Sequence, residues 1–191
     1  MSFLYHGSII SGITELEARS PLHNANKQVV YLTDSIPYAL LYIWDSERNG
    51  SSQKYVTGGF RDGQVFYEEQ FLDQLRTFYQ GVAGYLYRIP HTDNAQAVTN
   101  RAGLFWQDSN AAVADVRFIP DVYAELLAYE AAGKLSILRF SEQTDTRQAE
   151  LTGMIAAYIR QSQFFANDDE QRRFMQKHFP AAWRQAHEPT D

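Results

Sequence analysis

Near residue 140 the apolar residues of this chain stop clustering in short, turn-bounded runs and begin to recur at helical spacing. Before that point, Phe3–His6, Gln28–Thr33, Lys54–Thr57, Gln64–Tyr67, Gly84–Ile89, Leu104–Trp106, Val113–Ile119 and Leu135–Phe140 are rich in β-branched and aromatic residues, and each reads as a strand. After Ser141, Leu151, Met154, Ile155, Tyr158 and Ile159 form an i, i+3, i+4, i+7, i+8 stripe, and Asn167 with Glu170 fits a capping box for a further helix. Strands gathered first and helices last predict an α+β fold, with a core over 1–140 and a helical C-terminal cap over 141–191 packed on it.

Helices also punctuate the strand region. Asp34 or Ser35 can cap one that carries Pro37 in its first turn and runs through Tyr38–Trp44 to Asn49-Gly50; being apolar nearly all round, it should be buried. Phe71, Leu75 and Phe78 mark a second up to Gly81. Val122, Leu126, Leu127 and Tyr129 mark a third, opened by Pro120-Asp121 and closed by Gly133. Arg61-Asp62-Gly63 is the turn expected to join two strands into a hairpin.

Composition narrows the function classes. With 191 residues, 45% hydrophobic, the chain can bury a core, and without cysteine it is neither a disulfide scaffold nor a thiolate metal site. A net charge of −6 argues against the broad cationic face that duplex DNA requires. The longest apolar run, Tyr38–Trp44, is far short of the ~20 residues of a membrane span, so no membrane partner is expected. No basic residue precedes an apolar stretch near Met1, and the expected location is cytoplasmic. His23, His91, His178 and His187 lack metal-ligand spacing, Asp168-Asp169 reads as negative charge in a helix's first turn, and no glycine-rich phosphate loop is present.

Chemistry is most easily read at the end of the first strand and around the second. In Tyr5-His6-Gly7-Ser8, a glycine without Cβ lets a planar ligand approach the main chain, and His6 offers a directional hydrogen bond. Tyr31 leaves the second long strand, and Tyr42 follows eleven positions later, one turn beyond Tyr38. A tyrosine on a strand and another on the next helix can set two rings on either side of a slot, an arrangement that suits an aromatic cation.

His6-Gly7-Ser8, then Val30-Tyr31-Leu32-Thr33-Asp34, then Tyr42 resemble the first two motifs of the diphtheria-toxin and poly(ADP-ribose) polymerase class of ADP-ribosyltransferases, the His-Tyr-Glu class, over Phe3–Trp44. The resemblance implies a split β-sheet that binds NAD+ without a Rossmann loop. By it, His6 bonds the adenosine ribose, the main chain of Gly7 grips the nicotinamide carboxamide, and Tyr31 and Tyr42 sandwich the ring, with Ser8, Thr33 and Tyr38 as further cofactor-binding candidates. The serine that holds the amide in the polymerases is replaced by Ala39. The third motif is a glutamate before a later strand, and the matching stretch Ser109–Val113 has no carboxylate. Glu125 falls in a helix; Glu69, where a strand gives way to a helix, is the candidate catalytic residue.

Cleaving the nicotinamide–ribose bond builds positive charge on the ribose, which a nearby carboxylate stabilises preferentially in the transition state. The implied activity is therefore mono-ADP-ribosyl transfer from NAD+, without a metal, to an acceptor that is a protein or a nucleic acid. Two alternatives accompany it. One is a catalytically inactive NAD+-binding or protein-interaction module on the same fold. The other is an RNA 2′-phosphotransferase, which would require several arginines where the chain up to Trp44 has only Arg19.

Overall fold

The structure, a computed structural model, describes residues 2–22, 26–162 and 169–187. The chain forms two compact units. The first comprises Met1–Trp44, Gly58–Tyr67 and Tyr79–Ser136, and the second comprises Asp45–Thr57, Glu68–Phe78 and Ile137–Asp191. The last crossing thus falls close to the change of period in the sequence, but two earlier stretches belong with the C-terminal helices. The mixed helix and antiparallel-strand content makes the fold α+β. No helix among the described residues is long and apolar enough to cross a membrane.

In the first unit, β1 (Phe3–Ser8), β4 (Gln28–Thr33), β7 (Gly84–Pro90), β8 (Gln96–Ala97), β9 (Leu104–Gln107) and β11 (Asp115–Ile119) form an antiparallel sheet of order β11-β7-β1-β4-β9-β8, with β3 (Ser20–Pro21) also on β4. The short strands β2 (Glu15–Leu16) and β10 (Ala111–Ala112) pair separately. Leu4, Val30, Leu32, Tyr87 and Ile89 gather into one core with Leu16 and Ala111. Burying each such side chain contributes roughly 1.5–3 kcal/mol. On the other face lies α1 (Ile36–Leu40), opened by Ser35, whose side chain accepts from the Tyr38 amide.

The apolar stretch after Asp34 is buried as its composition demands, from Tyr38 through Trp44 except for half-buried Tyr42, but it is not one helix. Its helical turns end at Leu40, and α2 (Ser46–Asn49) starts afresh because Asp45 turns its carboxylate onto the Arg48 amide as an N-cap. Gly50, at φ 70°, ends α2. The strand expected at Lys54–Thr57 begins later, as β5 (Gly58–Arg61). The reason is the turn: Asp62 and Gly63 both have positive φ, 51° and 77°, so the hairpin closes with Arg61 opposite Gln64 of β6 (Gln64–Glu68). The strand expected over Val113–Ile119 starts at Asp115 in β11, with β10 ahead of it. The helix α4 (Val122–Ala131) is capped by Asp121 and followed by Gly133 at φ 68°, as its sequence requires.

The second unit holds α2, α3 (Gln74–Tyr79, whose Tyr79 lies in the first), α5 (Asp145–Gln161), α6 (Asp169–His178) and α7 (Pro180–His187). Of the α5 stripe, Leu151, Ile155 and Ile159 are buried, whereas Met154 and Tyr158 face solvent. The capping-box residue Asn167 lies outside the described residues.

His178 is 7% exposed among the rings of Phe71, Phe78 and Phe174, whose centroids lie 5.5, 5.2 and 4.7 Å away. Burial, helped by Lys177, lowers its pKa from the ordinary 6.5 to about 4. The unfolded chain therefore takes up a proton that the folded chain refuses between these two values. Stability is undiminished above pH 6.5 and falls as pH drops from 6.5 to 4, by about 2–3 kcal/mol. Urea midpoints at pH 7 and pH 4 check this: His178→Phe should lose less over that interval than the parent chain, and equal losses would absolve His178.

Candidate functional site

The residues of the first two motifs meet where the main sheet parts. Along its whole length β1 pairs with β7, from Phe3 opposite Pro90 to Ser8 opposite Tyr85. With β4 it shares a single rung, Tyr5 opposite Thr33. Beyond that rung the strands separate, and His6 Nδ1 lies 3.2 Å from the Tyr31 carbonyl oxygen. A carbonyl only accepts, so the imidazole donates from Nδ1. Hence His6 and Tyr31, brought together from 25 residues apart, stand at a fork between two central strands.

Around the fork, several expected ligand contacts are occupied by the chain itself. A Cβ on Gly7 would sit 2.1 Å from the Ala39 carbonyl oxygen and 3.0 Å from Ile43 Cγ1. The space left by the missing side chain on that face is filled by the end of α1 and is not open to a planar ligand. Ser8 Oγ accepts the Ile10 amide. Thr33, buried, donates its hydroxyl to the Gly103 carbonyl at 2.7 Å and accepts the Ser35 amide at 3.1 Å, which anchors the strand-to-helix turn.

The two rings expected to form a slot have separate partners. Tyr31 is 38% exposed and donates its hydroxyl to the Pro21 carbonyl on β3. Tyr42 shares a 2.9 Å hydroxyl–hydroxyl bond with Tyr38, the ring centroids being 5.3 Å apart, and Tyr38 packs in turn on Phe60 at 4.9 Å. Burial first, then the facing Tyr38 phenol, raises the Tyr42 pKa well above the usual phenol range. In this arrangement Tyr38 and Tyr42 brace one another, and Tyr31 is the most exposed of the three rings.

Glu69 lies in the second unit, following β6, and is 5% exposed. Its Oε1 accepts the Leu75 amide in the first turn of α3 at 3.0 Å, and its Oε2 accepts the Phe140 amide at 3.1 Å. Both oxygens are thereby committed to main chain, as in a carboxylate that fastens a helix start to a distant turn. Glu125 forms an ion pair with Arg117 at 2.8 Å, an ordinary helix-surface role.

A cleft of about 670 Å³ opens in the first unit on the other side of the Tyr5–Thr33 rung. Tyr5 borders it from β1 and Asp34 from the turn after β4, Phe60 and Gln64 from the β5–β6 hairpin, and Tyr129 and Lys134 from the end of α4 and beyond. Burial raises the Tyr129 pKa, with Arg117 opposing the shift. Apart from Tyr5 and Asp34, which flank the motifs, the sequence carries no local sign of these residues, because tertiary contacts alone assemble them. Among the described residues no group of three His, Asp or Glu side chains could hold a metal ion.

Comparison with family models, curated proteins and solved structures finds no match to this chain.

Proposed function

We propose that the first unit is an NAD+-binding module of the ADP-ribosyltransferase-like kind. The observation that carries this reading is the fork itself: β1 and β4 separate after one rung at the His6-Gly7 and Tyr31 motifs, where a split-sheet enzyme admits the nicotinamide end of its substrate. The dinucleotide would run from the fork across the Tyr5–Thr33 rung into the cleft, whose volume lies within the ~300–1,000 Å³ of ordinary ligand sites. Tyr31 supplies an exposed ring for stacking, and His6 a polar contact. With Ala39 in place of a hydroxyl-bearing residue, and its carbonyl seated on Gly7, one amide anchor fewer is available and affinity should be modest.

Two uses of such a site differ in chemistry: transfer of ADP-ribose to a protein or nucleic acid acceptor, or binding without cleavage. The state of Glu69 favours the second, since its two oxygens are already engaged by the Leu75 and Phe140 amides. Calorimetric titration with NAD+ up to millimolar concentrations should detect binding that Tyr31→Ala weakens about tenfold, the loss of a stacked ring at roughly 1.4 kcal/mol. Chromatography of the same mixtures should find no free nicotinamide. Released nicotinamide would restore the transferase reading, and no binding at all would remove both.

A further inference from the structure

The edge strand β11 has the makings of a self-complementary interface. It ends the seven-stranded sheet, pairs on one side with β7, and exposes four of its five residues. Val116 and Phe118, 49% and 55% exposed, share one face, where the Phe118 ring lies 5.4 Å from Tyr85. Tyr85, in turn, is partly buried against the core of the first unit. The Val116 amide donates to the Asp115 side chain at 2.9 Å, a bond that main-chain pairing along this edge would replace. On the other face Asp115 holds Arg88 at 3.3 Å, and Arg117 holds Glu125 at 2.8 Å. An open edge of this kind is a template for another strand.

We propose that β11 docks antiparallel against β11 of a second copy of this chain, with Val116 opposite Val116. In that register the two Val116 residues exchange a pair of N–H···O=C bonds. Asp115 of each copy then faces Arg117 of the other, twice over by the two-fold axis. Charge complementarity selects this occupant: across the joint the row reads Arg88, Asp115, then Arg117 and Glu125 of the second copy, with signs alternating throughout. A shift of register by two residues would set Arg117 against Arg117. Five residues of edge make a small interface, so the association is concentration-dependent.

Sedimentation velocity of the full chain tests the pairing. The mass should rise from 21.9 kDa toward twice that value between micromolar and millimolar concentrations. Asp115→Arg leaves two cations facing two cations, and Arg117→Asp two anions facing two anions, so each variant alone should stay at 21.9 kDa. Their equimolar mixture restores both opposite-charge pairs and should recover the doubled mass. Val116→Pro, which deletes the amide hydrogen the ladder needs, should remain monomeric while keeping its far-ultraviolet circular dichroism. A parent chain that stays monomeric throughout would leave the edge to a strand of another protein and overturn the proposal. Dimerisation of either charge variant alone, or no recovery in the mixture, would overturn it equally.

Discussion

Glu69→Ala lowers stability by about 3–5 kcal/mol, measured by urea denaturation at pH 7. The carboxylate is buried and each oxygen accepts a main-chain amide, Leu75 at 3.0 Å and Phe140 at 3.1 Å. Hydrogen bonds to a charged group contribute roughly 1.5–3 kcal/mol each, and the truncation also strands two amides away from water. Glu69→Gln keeps one acceptor but turns an NH2 toward the other amide, and should cost about 1–2 kcal/mol. The experiment separates structural from chemical roles. A residue that served only in ADP-ribose transfer would leave the denaturation midpoint in place, and an alanine variant within 1 kcal/mol of the parent would deny Glu69 its fastening role.

Gly7→Ala is the second severe substitution, costing about 3 kcal/mol or abolishing folding. The added Cβ would lie 2.1 Å from the Ala39 carbonyl oxygen, well inside the 3.0 Å that real Cβ atoms respect. The obstacle is helix backbone and has no rotamer to change, so α1 must lift from the sheet and take the buried Leu40 and Ile43 with it. Gly153→Ala serves as the control. It lies within α5, where a Cβ meets nothing within 4 Å, so alanine should stabilise that helix by about 0.5–1 kcal/mol. Thermal melts of the two variants should therefore move in opposite directions; a Gly7→Ala protein that melts with the parent would show that α1 yields easily.

What could be read in advance follows the range of the interaction responsible. Asp62-Gly63, Asp121 and Gly133 act on their immediate neighbours, and the turn, cap and helix end they encode are all present. The fresh helix start at Ser46 rests on Asp45, whose capping carboxylate is a local signal lying just past a continuous apolar run. Apolar spacing locates the α5 helix but not which residues of the stripe face inward, since Leu151 and Ile155 are buried while Met154 and Tyr158 stay exposed. At the candidate site, the nearness of His6 and Tyr31 follows from two adjacent strands that the sequence marks clearly. The seating of Ala39 on Gly7 and the reach of Glu69 to Phe140, 71 residues away, depend on tertiary packing and leave no local trace.

The division of the chain into units has a practical consequence for anyone wishing to dissect it. The polypeptide passes from one unit to the other after Trp44, Thr57, Tyr67, Phe78 and Ser136, weaving back twice before it commits to the C-terminal helices. No single cut frees either half intact. A fragment truncated near residue 140 would carry 45–57 and 68–78 as orphans, stripped of the helices with which they belong, and would expose the buried rings of Phe78 and its neighbours. Excision of the fork for separate study would have to rewire those excursions with engineered linkers.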